Sequence, residues 1–271
     1  MSDHEILNEV TSVAREVGDR VRALPSPAPF RTLSDLRAVF NAIDDSLQAF
    51  TRERLAALRP EAAWVGELHG RTPDAGEAWV VDAIDGAVQY LQRLPQWCVS
   101  ITLVRARVPV IAVLYSAVQG ETYAAIAGGG ATRNGVPVDP SKKTDLAVAL
   151  VATSQPPFVA KEPGDVDRAS RSIGKALLVA GAVRNLGPTS WQIADVASGR
   201  IDAFWQYGAD DGNLLGASLV AQEAGAIVTD VRGAPWRAGA HSILVAAPGL
   251  HGRLCELLPT DATVGESAPA P

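Results

Sequence analysis

This sequence predicts a mixed α and β fold in two unlike halves, and three patterns carry the prediction. Two long stretches near the N-terminus place apolar residues at helical spacing. Three apolar or alternating runs between residues 99 and 126 are joined by turns short enough for an antiparallel meander. From about Ala147 onward short strand-like runs alternate with helical ones, the pattern of an α/β layer. The expected organisation is an α+β half over residues 1–145, an α/β half over 146–259, and a disordered tail rich in Ala, Pro and Ser over 260–271.

Composition sets the outer bounds. The chain has 271 residues, 47% of them apolar and 20% charged, which is the balance of a water-soluble globular protein. No apolar run reaches the roughly 18 residues of a membrane span. Met1-Ser2-Asp3-His4-Glu5 lacks the basic-then-apolar layout of a signal peptide. The two cysteines, Cys98 and Cys255, sit inside apolar patterns, so buried free thiols in a reducing cytoplasm are expected. A net charge of −6 argues against a nucleic-acid backbone as partner. A phosphorylated small molecule fits only where cations or backbone donors neutralise it.

Taken in order, Ile6, Leu7, Val10, Val13, Ala14, Val17 and Val21 mark a first helix, and Pro25, Pro27 and Pro29 an extended connector. A second helix is expected over Leu33–Leu58, with Ser34 as its cap. Trp64-Val65-Gly66-Glu67 reads as a short strand ending in a carboxylate. Strands follow at Val99–Val104, Val108–Tyr115 and Thr122–Ile126. Gly128-Gly129-Gly130 and then Arg133-Asn134-Gly135 form a turn and hairpin; no helix follows the glycines, so they are not a phosphate loop. In the second half, strands are expected at Ala149–Thr153, Ala182–Leu186, Ala203–Trp205, Ala226–Thr229 and Ile243–Ala246. Helices are expected at Val166–Ile173, Thr189–Ser198, Asn213–Glu223 and Gly249–Leu257.

The segment Trp79-Val80-Val81-Asp82-Ala83-Ile84-Asp85-Gly86-Ala87 stands apart. A buried strand ends in a carboxylate, a second carboxylate follows three residues later, and a glycine turns the chain. Asp82 and Asp85 should emerge together with the Ile84 carbonyl between them, a hard-oxygen set of the kind magnesium takes. A plain polar turn uses the same residue types.

Gly66-Glu67 followed by Asp82-x-Ile84-Asp85-Gly86 resembles the inositol monophosphatase family of magnesium-dependent, lithium-sensitive phosphatases. The family's Gly-Glu strand end precedes Asp-Pro-Ile-Asp-Gly-Thr. The likeness extends along the chain. Asn41-Ala42-Ile43-Asp44 is similar to its Thr-x-x-Asp, and Gly130-Ala131-Thr132-Arg133-Asn134-Gly135 to its Gly-Ala-x-x-Asn-Gly. Arg184-Asn185-Leu186-Gly187 resembles its Arg-x-x-Gly, Ile201-Asp202-Ala203-Phe204 its Ala-Asp-Ala-Tyr, and Gln222-Glu223-Ala224-Gly225 its Glu-Ala-Gly. The resemblance implies a layered αβαβα sandwich, commonly dimeric. It implies a magnesium ion on Glu67, Asp82 and the Ile84 carbonyl, and a second ion shared by Asp82 and Asp85. Amides at Gly86 and Ala87 would meet the phosphate, and the helix start at Gly187, Pro188 and Thr189 would wall the substrate pocket with Gln206 and Asp210. On this reading Glu67, Asp82 and Asp85 are the catalytic residues, in a cytoplasmic homodimer that binds no membrane.

Departures from the pattern are as informative. Ala87 stands where the family has a water-orienting Thr, and Leu68 where it has an acidic residue. Gly212-Asn213 replaces Trp-Asp, whose Asp binds the second metal; Asn213 could still give that metal a neutral oxygen as a weak ligand or equally cap its helix, and neighbouring Asp210 or Asp211 could serve instead. Gln206 replaces a Glu that contacts substrate hydroxyls. His69 offers a stand-in base or is a solvated loop residue. Trp191 and Trp205 should flank the pocket, Pro188 should occupy the first helical position, and Lys142-Lys143 an exposed turn. Three functions follow: a phosphomonoesterase for a small phosphorylated alcohol; a repurposed enzyme that eliminates or cyclises without hydrolysis; or a catalytically silent homologue.

Overall fold

In the computed structural model the residues described are 1–66 and 72–260. Helix α1 spans Asp3–Ala23, started by a capping box between Ser2 and Glu5, and buries Ile6, Val10, Val13, Val17 and Val21 on one face. Helix α2 spans Leu33–Leu58. Its cap is Thr32, not Ser34: the Thr32 hydroxyl accepts the Asp35 N–H at 3.1 Å while the Asp35 carboxylate accepts the Thr32 N–H at 3.1 Å. Reciprocity with an acidic residue three positions on decides between two adjacent hydroxyls.

Seven strands then form one sheet in sequence order: β1 (Ala63–Gly66), β2 (Glu77–Asp85), β3 (Cys98–Arg105), β4 (Val108–Ser116), β5 (Glu121–Ile126), β6 (Gly130–Arg133) and β7 (Val136–Pro137). Only β1 lies parallel to its neighbour; β2 through β7 run antiparallel. The glycine run serves this sheet, since Gly128 and Gly130 donate their amides to the Glu223 carboxylate at 2.7 and 2.9 Å.

The second sheet has the order β11-β12-β10-β8-β9, with β8 Leu150–Thr153, β9 Ala182–Arg184, β10 Ala203–Tyr207, β11 Ile227–Thr229 and β12 Ser242–Ala246. Helices α4 (Pro163–Leu177), α5 (Thr189–Ala197), α6 (Asp211–Glu223) and α7 (Pro248–Leu257) accompany it. Buried side chains show the stacking. Helices α1 and α2 cover one face of the first sheet through Val10, Leu47, Val81 and Ile101. Helices α5 and α6 fill the space between the sheets, where Ile193 and Leu215 meet Leu114 and Phe204. Helices α4 and α7 close the outer face of the second sheet against Trp205 and Leu244. The layers therefore run αβαβα, as the resemblance implied.

Several local expectations change. The segment after Asp85 is a short helix, α3 (Ala87–Leu91), started by Gly86 at φ 96°. Helix α6 begins two residues before Asn213, and Pro188 precedes α5 instead of opening it. Cys98 is buried, whereas Cys255 is only partly so. Lys143 is no idle turn residue: its Nζ lies 2.7 Å from the Asp202 carboxylate, which is 1% exposed and also accepts the Leu150 N–H. None of the helices among the described residues is long and apolar enough to cross a membrane.

Candidate active site

Asp82 and Asp85 end β2, and the sheet's register explains how both reach one place. Side chains three apart on a regular strand point to opposite faces. Here Asp82 pairs with Ser100 but Asp85 with Cys98, so three steps on β2 answer two on β3. This bulge turns both carboxylates toward the side of Val80 and Cys98, which faces the α5–α6 layer. Both are buried, Asp82 at 3% and Asp85 at 5% exposure. The Ile84 N–H donates to Asp82 Oδ1 at 2.8 Å, and Ile84 itself is buried.

Helix α5 meets this strand end head-on. Ser190 gives both its N–H, at 3.2 Å, and its Oγ–H to Asp85 Oδ2. The Cys98 thiol donates to the same oxygen at 3.9 Å. A helix N-terminus beside a carboxylate is electrostatically favourable, with its free amides and positive dipole end directed at the anion. Burial nevertheless dominates and raises the Asp85 carboxyl above its ordinary value, against the hydrogen bonds from Ser190, Gly86 and Cys98.

A second group continues from α5. Thr189 Oγ1 donates to Ser154 Oγ at 3.0 Å and lies 3.4 Å from Gln206 Oε1. Gln206 Nε2 donates to Asp210 Oδ2 at 2.8 Å, and Asn213 Nδ2 to Asp210 Oδ1 at 2.9 Å. Burial is the main reason that the Asp210 carboxyl rises to about 7, and the negative charge of Asp85 adds to it. The two carboxylates are thus close enough to repel, and all the hydrogen-bond partners named for them are neutral. Asp211 is directed elsewhere, accepting the Gly239 N–H at 2.7 Å. Of the two candidates to stand in for the missing acidic ligand, Asp210 is the one beside the site.

The remaining predicted residues fall into place unevenly. Gly86 is held by shape: a Cβ there would lie 2.7 Å from the Gln96 carbonyl and 3.3 Å from Pro188 Cβ, so α3 and the Gly187–Pro188 wall are in close contact. Ala87 opens α3 directly after it. Glu67, Leu68 and His69 lie outside the described residues. Asp44 stays on α2, where Gln48 Nε2 donates to it at 3.5 Å. Trp191 is buried in the central layer, but Trp205 points to the outer face of the second sheet, where its Nε1 donates to Ser172 at 2.8 Å. Alternation along β10 sends Gln206 toward Thr189 and so sends Trp205 away. Asn213 does not cap α6; Asp210 occupies that position. Sequence reasoning missed Ser154, Cys98 and the bond from Ser190 to Asp85, for which no spacing gives a signal.

The donor set suits a cation. Among the described residues no three His, Cys, Asp or Glu side chains cluster as a metal site. Two observations still favour one. Burial raises the Asp85 and Asp210 carboxyls, and their hydrogen-bond partners among the described residues are neutral. Asn213 Oδ1 is buried and meets no hydrogen-bond donor among the described residues, while its Nδ2 is fixed on Asp210. An orphaned amide oxygen beside poorly hydrated carboxylates is hard-cation chemistry.

Comparison with known proteins agrees with this geometry. The model of the inositol monophosphatase family matches residues 4–261. The inositol monophosphatase of Dictyostelium discoideum is 31% identical over 188 residues, 66% of each chain and so just under two thirds. Nus factor SuhB of Escherichia coli (strain K12) is 29% identical over 238 residues, 85% of this chain and 86% of that one. The solved structure of inositol monophosphatase from Anabaena (Nostoc) superimposes with a TM-score of 0.79 at 25% identity, covering 94% of this chain and 96% of that one.

Proposed function

The chain belongs to the inositol monophosphatase family of metal-dependent phosphatases, and on that premise we propose that it is a magnesium-dependent phosphomonoesterase. Its substrate would be a small phosphorylated alcohol: an inositol, sugar, nucleotide or amino-alcohol phosphate. The supporting observation is that Asp82 and Asp85 share one face at the end of β2 and that the charge of Asp85 reaches Asp210 at the start of α6, with neutral hydrogen-bond partners named for Asp85 and Asp210.

Glu67, Asp82 and the Ile84 carbonyl would hold one magnesium, and Asp85, Asp210 and Asn213 Oδ1 would supply oxygens to another. When bound, magnesium would withdraw charge from the phosphoryl group and favour attack by water. The chain's own part is largely orientation. Ser190 fixes the Asp85 rotamer through two donors to one oxygen. Thr189 and Asp210 hold Gln206 from both ends of its amide, so position 206 is neutral and fixed where the family pattern has a charge. Ala87 offers no hydroxyl to align a water, and losses of that kind commonly cost about a hundredfold in rate.

Phosphate release from a panel of such esters, measured with magnesium and with EDTA in wild type and Asp82→Asn, tests this reading. Magnesium-dependent release lost in the variant supports it; no magnesium-dependent release from any ester defeats it. Ala87 and Asn213 favour a second reading, departure of phosphate without water. Reaction in oxygen-18 water separates the two, since hydrolysis places the label in the phosphate and elimination or cyclisation does not.

A further inference from the structure

Helix α3 closes with a turn defined by two backbone bonds. The Arg93 N–H donates to the Tyr90 carbonyl at 2.9 Å, and the Leu94 N–H to the Gln89 carbonyl at 2.9 Å. That pair is the Schellman arrangement, which needs one residue in the left-handed region. Arg93 is that residue, at φ 62°. Glycine adopts the conformation freely and is the usual occupant, so an arginine there strains the backbone. Its exposed guanidinium offers no compensation, making no hydrogen bond or ion pair among the described residues. Arg107, also left-handed at φ 67°, differs in donating to the Ala238 carbonyl at 2.9 Å. Backbone strain of this kind clusters at ligand sites.

Arg93 lines a cavity of about 290 Å³ between this turn and the connector that follows α1. Leu24, Pro25, Leu94 and Val118 give it apolar walls. Leu94 and Val118 are 49% and 47% exposed, so part of that wall is open to water and would gain from being covered. The space matches about ten waters at ~30 Å³ each, room for a ligand of about ten heavy atoms. None of Asp82, Asp85 and Asp210 lines it.

Charge selects among ligands. Arg22 and Arg93 are the only charged residues of the described lining. Arg22 already lies 3.4 Å from the Asp19 carboxylate, which leaves Arg93 as the unbalanced charge. Long arginine stems lie along apolar surface while their heads stay in water, where a guanidinium fork takes a carboxylate through two parallel bonds. A single unbalanced cation matches a monoanion better than a doubly charged phosphate. We propose that this cavity binds a small amphipathic carboxylate, its hydrocarbon against Leu24, Leu94 and Val118 and its head accepting from Arg93. The proposal does not depend on the reaction performed at Asp82 and Asp85.

Calorimetric titration of the full chain in EDTA with octanoate and hydrocinnamate, each beside its matching alcohol, tests it. Saturable binding of at least one acid is expected, with its alcohol at least tenfold weaker. Arg93→Gly removes the cation and relieves the left-handed position. The variant should unfold in urea no more readily than wild type, yet bind the acid at least tenfold more weakly. Leu94→Asp, at a half-exposed position that tolerates a polar residue, should weaken binding as much by placing a like charge in the wall. Absence of saturable binding by both acids overturns the proposal, as does an alcohol that binds as tightly as its acid. Unchanged affinity in Arg93→Gly or in Leu94→Asp also overturns it, because the acid would then lie elsewhere.

Discussion

Replacing Asp210 by Asn separates charge from shape at the centre of the candidate site. Burial lifts this carboxyl from its ordinary 3.8 to about 7. A raised value means that the folded chain holds the proton more tightly than the unfolded chain does. The stability it contributes is full below about pH 4 and is lost as the pH rises through about 7. Some three pH units at ~1.4 kcal/mol each set the whole loss near 4 kcal/mol, of which about 2 has gone by pH 5. The Asn variant undergoes no such loss. It carries a mismatch instead, because its amide turns an N–H toward either Gln206 Nε2 or Asn213 Nδ2, at a cost of about 1–2 kcal/mol. That cost is the same at both pH values and cancels in their difference. In EDTA, the variant should therefore gain at most about 2–3 kcal/mol on wild type between pH 5 and pH 8. Water at the partly open side of Asp210 reduces the figure. Urea unfolding of both proteins at both pH values measures it. A gap between the two that does not change with pH would refute the view that Asp210 is a poorly solvated carboxylate whose partners among the described residues are neutral.

Other perturbations probe neighbouring contacts. Gly86→Ala forces a Cβ to 2.7 Å from the Gln96 carbonyl at φ 96°, and should cost roughly 2–4 kcal/mol in urea unfolding. Ser190→Ala removes one of the two Ser190 donors to Asp85 Oδ2; it should destabilise the metal-free chain by about 1–3 kcal/mol, more at pH 8 than at pH 5, since only the ionised carboxylate uses both. Ala87→Thr combined with Asn213→Asp should raise magnesium-dependent phosphate release by about tenfold or more. Unchanged release in a folded double variant would mean that these two departures do not limit the chemistry.

How much of this the sequence disclosed depends on what fixes each feature. Periodicity found α1, α2 and the meander because each buries a continuous stripe, and motif order disclosed the family. Spacing could not show that Asp82 and Asp85 share a face; regular alternation would oppose them, and a register slip against β3 decides the matter. Helix α3 escaped notice because five residues behind a left-handed glycine give no period to read. Asp210 was one of two neighbouring acidic candidates, and they are separated only in the fold, where Gln206 and Asn213 donate to Asp210 and the Gly239 N–H to Asp211. The cavity beside Arg93 was beyond reach, since the connector after α1 and the turn after α3 meet only in the folded chain.

Helices α5 and α6 are wedged between two sheets, and Gly216 on α6 sits so close to Thr102 that a Cβ there would force the Thr102 hydroxyl to shift. Such a filling tolerates little redesign along its length, because its helices are packed against a sheet on either side. Freedom to diversify is left at its rims, where α5 starts beside Gly187 and α6 starts beside Asp210. Those rims are also where the carboxylates and amides of the candidate site collect, so selection for a new substrate can act on a few loop residues while the filling stays fixed.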